Sequence, residues 1–275
     1  MKNMKIKYFI IFFIIVLLVL VCYLLIPRKT EQTLENRVLV IVMEENFSQG
    51  GQSEHEYQQQ KGIMNTFFSL IFRVSRKNLD DKTLSEIIDV YGEDYLANQF
   101  KKAAKGYGEI IILTDEEASY SNFKKVLLDI NGQGKTMDIV LDLHGGPKAI
   151  YFYKQKVYKE DIARDRDLKG LNIGYVYQTV CFGGQNIEFW IDIGAKVVSG
   201  SKEGNAFVLL APGKFLKFWT GGETYYDAVN GGFKYELRIQ KAINRFSPVE
   251  MFPLDERTLK GSEMVFVGDK DYGLK

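Results

Sequence analysis

Two cysteines and two histidines occur among the 275 residues, and one of each stands where an apolar run breaks into glycine. The run Met137–Leu143 (MDIVLDL) leads into His144, Gly145 and Gly146. The run Ile173–Val180 (IGYVYQTV) leads into Cys181, Phe182, Gly183 and Gly184. Strand ends that break into glycine are where an α/β sheet presents side chains to a ligand. A thiol and an imidazole at two such ends suggest a nucleophile with its acid/base partner. Glycine lets the backbone approach a ligand closely, so the Gly145 amide is a candidate oxyanion donor. A helix is expected to start near Asn186 and to aim its amides and positive end at the Cys181 strand mouth. Such a setting lowers a thiol pKa from about 8.5 toward neutrality.

Each residue also has a plainer reading. A lone histidine at a strand end is ordinarily a surface or satisfied core residue, and a lone cysteine a buried thiol. Asp142 lies two positions before His144, on the same strand face. It orients the imidazole only if the chain bends there, and otherwise is a buried or edge carboxylate with a backbone partner. Glu44, Glu45 and Asp115 also fall at strand ends; a solvated loop is the default, a pocket for a cationic group the alternative. Two further patterns are set aside. Gly132–Thr136 (GQGKT) ends like a phosphate-binding loop, but Asp129 stands where the motif needs glycine. His55 sits alone in a Gln-rich stretch, short of the ligands zinc requires. No cofactor or metal is implied.

These groups must be held by a framework, and its periodicity is legible. Arg37–Met43 and Glu109–Thr114 read as buried parallel strands, as do the His144 and Cys181 runs. Helical patterns cover 54–78, 84–104 (with a break near Gly92), a segment capped by Ser121 with Phe123, Val126, Leu127 and Ile130 inward, 186–193, 206–219 and 225–246. A hairpin is expected from 149 to 158 around Lys154 and Gln155, a strand at 196–198, and a late edge strand over 263–267. Alternating strands and helices predict an α/β fold, a three-layer α/β/α sandwich with a mostly parallel sheet.

No residue from Tyr8 to Ile26 is charged. At 1.5 Å per residue this run reaches about 28 Å, close to one bilayer core. Residues 1–29 therefore read as one N-terminal transmembrane helix, 30–36 as a polar linker and 37–275 as the folded domain. Lys2, Lys5 and Lys7 outweigh Arg28 and Lys29, which places the N-terminus in the cytoplasm and the domain outside. Beyond residue 27 the chain carries 33 basic and 35 acidic side chains, with no basic excess to bind nucleic acid. With Cys22 in the apolar run, Cys181 has no partner for a disulfide within the domain.

The blocks resemble, in order, the caspase-like fold of cysteine peptidases, the group of metacaspases, clostripain-type enzymes and CHAT domains. Leu113–Phe123 (LTDEEASYSNF) resembles the family's strand end and following helix. Asp138–Gly145 resembles the strand ending in His-Gly, and Val176–Gly184 the strand ending in the nucleophile. Ile193–Gly200 (IGAKVVSG) resembles the start of the next strand. The resemblance spans residues 37 to 245. It implies a His-Cys dyad with Cys181 as nucleophile and His144 as acid/base group. The amides of Gly145 and Cys181 would form the oxyanion hole, and a peptide or protein would be the substrate. The chain departs from the family two positions before the nucleophile, where metacaspases carry aspartate and this chain has Thr179. Neither basic nor acidic substrate preference carries over. A catalytically inactive scaffold or binding protein at the membrane is the alternative.

Overall fold

A computed structural model describes residues 34–44, 96–246 and 254–274. The expectations for the membrane helix, for Glu45 and His55, and for helices before residue 96 lie outside these residues. Among the described residues no helix is long and apolar enough to cross a membrane.

The valine-rich run forms β1 (Leu34–Glu44), whose last seven residues are all buried. It starts three residues earlier than expected, because Leu34 already pairs with Tyr107 inside the stretch read as linker. The other strands of the main sheet are β2 (Tyr107–Leu113), β3 (Thr136–Gly146), β6 (Ile173–Gln178), β7 (Ala195–Ser201) and β8 (Met264–Gly268). Their order is β2-β1-β3-β6-β7-β8, all parallel except β8, which closes one edge antiparallel to β7. β4 (Ala149–Phe152) and β5 (Gln155–Tyr158) form a hairpin that hangs from the end of β3. Its turn falls at Tyr153 and Lys154, one residue before the expected place, with Lys154 taking φ 51°.

Helices cover both faces. On one, α1 (Tyr120–Gly132), α2 (Lys159–Arg164) and α3 (Glu188–Ile193) share a core with the strands. Phe123, Leu127 and Ile130 of α1 meet Val38, Val40 and Val42 there. The α1 cap is Ser119, which accepts from the Asn122 amide, rather than Ser121. On the other face lie the helical residues 96–103, α4 (Ala211–Thr220) and α5 (Tyr225–Phe246). Tyr175, Tyr177, Phe215, Trp219 and Tyr225 interlock there against Leu39 and Ile41. Each such large side chain removed from water contributes about 1.5–3 kcal/mol. The late helix α6 (Glu256–Gly261) is capped by Asp255 and leads into β8.

At the end of the sheet where β1 and β3 begin, Asp138 is fully buried. It accepts from Arg37 Nε over 2.8 Å and from the Tyr107 hydroxyl over 2.7 Å. Trp219 Nε1 donates to that same hydroxyl, and Arg37 also reaches Tyr272. An ion pair so deep survives because hydrogen bonds satisfy both charges.

Candidate active site

The last β3–β6 pair is Leu141 with Gln178. His144 and Cys181 each lie three residues beyond it, at the C-terminal ends of two adjacent parallel strands. Both are half-buried, neither sealed beneath other residues. The ladder continues one step through Thr179, whose amide donates to the Leu141 carbonyl over 2.9 Å. Past that point the strand ends stay pressed together. A Cβ on Gly145 would lie 2.2 Å from Val180 Cγ1 and 3.1 Å from the Cys181 carbonyl oxygen. A larger residue there would have to displace Val180 or part the two segments.

The turn after Cys181 is bound on three sides. Phe182 takes φ 58°, a left-handed conformation that costs a side-chain-bearing residue about 1–3 kcal/mol. Its amide donates to the Glu203 carbonyl over 2.6 Å. The Gly183 amide returns to Val180 and the Gly184 amide crosses to Ser201. From beneath, the Lys159 ammonium donates to the carbonyls of Phe182 (2.8 Å) and Gln185 (2.7 Å). Lys159 is 3 % exposed, and burial pushes its amine down to about 8. Toward β7 the contact is backbone on backbone, since a Cβ on Gly200 would lie 2.4 Å from the Gly183 carbonyl carbon.

The helix expected near Asn186 is present and begins two residues later. α3 starts at Glu188 and has six residues. The amides of residues 182–185 are spent inside the turn and on its neighbours. The segment after β7 also meets the sulfur. The Asn205 amide donates to Cys181 Sγ over 3.4 Å, and Asn205 Nδ2 donates to the Thr179 carbonyl over 3.0 Å.

Asp142 is buried, as expected, but its partner is a side chain. The Thr179 hydroxyl donates to Asp142 Oδ1, while Oδ2 has no hydrogen-bond partner among the described residues. Burial pushes this carboxyl up to about 6 against the opposing effect of the Thr179 bond. Glu44 is buried at the end of β1, and Asp115 is exposed in the short helical turn after β2. The GQGKT segment joins α1 to β3, and Lys135 there pairs with Glu109 over 3.0 Å.

No protein-family model and no curated protein sequence matches the chain. Solved structures do resemble it. One is the Arg-specific cysteine proteinase gingipain R, with a TM-score of 0.42 and 12 % identity over 90 % of this chain and 49 % of that one. Another is a secreted C11 cysteine protease from Bacteroides thetaiotaomicron bound to an irreversible peptide inhibitor. It gives a TM-score of 0.44 and 6 % identity over 74 % of this chain and 59 % of that one. Both are cysteine proteases. The chain spans about half to three-fifths of their lengths.

Proposed function

We propose that this protein is a membrane-anchored cysteine endopeptidase in which His144 and Cys181 form the dyad. The observation that carries the reading is their matched placement, three residues beyond the same strand pair and half-open to solvent. The Cys181 thiolate attacks the scissile carbonyl of a peptide, and the carbonyl π electrons move onto oxygen. As the tetrahedral intermediate collapses, the His144 imidazolium protonates the departing amine. Water, deprotonated by the same imidazole, then releases the acyl group and restores the thiol.

The oxyanion would meet the amides of Cys181 and Gly145. In a hairpin closed by a two-residue turn, the pair next to the closing pair turns its amides outward. Gly146 and Ala149 close this turn, and Gly145 occupies the adjacent place opposite Ile150. Residues 1–29 would hold the enzyme in the bilayer with its N-terminus in the cytoplasm, so that the domain meets extracytoplasmic peptides or proteins.

The test is an electrophilic peptidyl probe applied to the full chain in detergent. Labelling of Cys181 that disappears in His144→Ala supports the dyad. A Cys181 equally reactive in both proteins, with no cleavage of a peptide library, removes the enzymatic reading and leaves the scaffold.

A further inference from the structure

The segment 203–207 connects β7 to the region before α4 and is held by hydrogen bonds along its length. The Glu203 amide donates to the Gly261 carbonyl over 2.8 Å. The Gly204 carbonyl accepts from Ser262 Oγ, and the Ala206 amide donates back to the same hydroxyl. The Ala206 carbonyl accepts from Gln240 Nε2, and the Phe207 amide donates to Asn205 Oδ1 over 3.0 Å. These amides end on oxygen. The Asn205 amide, in the middle, ends on the Cys181 sulfur.

That exception has a chemical meaning. A neutral thiol is a weak acceptor, and a backbone amide placed against one in a half-buried site gains little. A thiolate is a charged acceptor and makes a bond about twice as strong. Donation to the charged form lowers the pKa of the group that accepts it. The side chain of Asn205 aims this amide. Its Oδ1 closes a turn onto Phe207, and its Nδ2 reaches across to the Thr179 carbonyl, two residues before the cysteine. A residue serving only the turn would need Oδ1 alone. The second bond fixes the segment to the strand that carries the sulfur.

We propose that Asn205 is a positioning residue, which clamps its own amide onto Cys181 Sγ and so favours the thiolate. The inference rests on the reading of Cys181 as nucleophile and adds the group that prepares it. His144 and Asn205 then act on the sulfur from different elements, one from the end of β3 and one from beyond β7.

The experiment measures the rate at which iodoacetamide alkylates Cys181 against pH. It uses the full chain in detergent, with the Cys181 peptide quantified by mass spectrometry so that Cys22 does not interfere. Asn205→Ala is expected to slow alkylation about five- to tenfold at pH 7 by raising the midpoint about one unit, and to leave the high-pH plateau unchanged. Asn205→Ser, which keeps an acceptor for Phe207, falls between. A wild-type profile in Asn205→Ala, or a lowered plateau with an unmoved midpoint, overturns the proposal. Should Asn205→Ala not fold, the wild-type 1H–15N resonance of Asn205 decides: it must titrate with the thiol, and a resonance blind to thiol ionisation overturns the idea. His144→Ala separates the two readings. A midpoint moved by His144→Ala alone keeps the dyad and removes the Asn205 role; one moved by Asn205→Ala alone does the reverse.

Discussion

Lys159 donates to the carbonyl of Phe182 over 2.8 Å, and Phe182 is the residue forced into a left-handed conformation directly after Cys181. A buried cation therefore braces the strained point of the turn that carries the candidate nucleophile. The brace comes from the start of α2, at the foot of the hairpin that hangs from the His144 strand. The two strand ends are thus linked twice, through Gly145 packed on Val180 and through Lys159 bonded to the turn.

The brace has a pH signature. Burial pushes the Lys159 amine down to about 8, whereas in the unfolded chain it titrates near the ordinary lysine value. Between pH 8 and about 10.5 the unfolded chain holds the extra proton, so this group's contribution to stability grows as pH rises through that window. Lys159→Met has no such titration. Urea midpoints measured from pH 7 to 10.5 should show wild type gaining on the variant above pH 8. Parallel curves would exclude a buried, titrating Lys159.

Asp142 behaves in the opposite sense. Its folded carboxyl, pushed up to about 6, binds a proton that the unfolded chain has already lost. The stability contributed by the protonated form is complete below the unfolded value and is lost as pH rises through about 6. At pH 7 the ionised carboxylate is a cost. Asp142→Asn keeps an acceptor for the Thr179 hydroxyl and removes the charge, so it should melt at or above the wild-type temperature at pH 7. The advantage should vanish below pH 4. Thermal melts at the two pH values check this, and a variant that loses stability at pH 7 contradicts it.

Gly145→Ala places a methyl group 2.2 Å from Val180 Cγ1. Overpacking of this kind costs about 1–3 kcal/mol. Labelling of Cys181 by a peptidyl probe should fall with it, because the clash lies between the two candidate dyad strands. Adding Val180→Ala makes room, so the double variant should recover part of both losses. Additive effects in that double-mutant cycle would show that the two residues do not press on each other.

The Arg37–Asp138 pair lies at the far end of the sheet from Cys181. Asp138→Ala leaves a buried guanidinium without its carboxylate and should cost about 3–5 kcal/mol in urea unfolding. Alkylation of Cys181 in the folded variant should keep the wild-type pH profile, which separates fold maintenance from site chemistry.

Much of the framework is written in local pattern. RVLVIVM, apolar without alternation and rich in valine, reads as a strand buried on both faces, and Phe123, Val126, Leu127 and Ile130 repeat at helical spacing. His144 and Cys181 stand out because glycine follows each. The supports of the site carry no such mark. Lys159 comes shortly after Lys154 and Lys156 of the hairpin, and nothing local distinguishes it from them. Asn205 owes its place to partners at Thr179 and Cys181, both more than twenty residues away. The alternation of β3 puts Asp142 on the His144 face, but its bond to Thr179 exists only because β6 lies next to β3. Pairings set by sheet order are invisible until the order is known.

The contact of Gly183 and Gly184 with Gly200 sets the cysteine turn backbone to backbone against the neighbouring strand. With no soft layer to slide on, the turn should melt together with the sheet rather than before it. Heat should therefore release the turn and collapse the sheet in one cooperative event, so that the surroundings of Cys181 stay intact until the moment the protein unfolds.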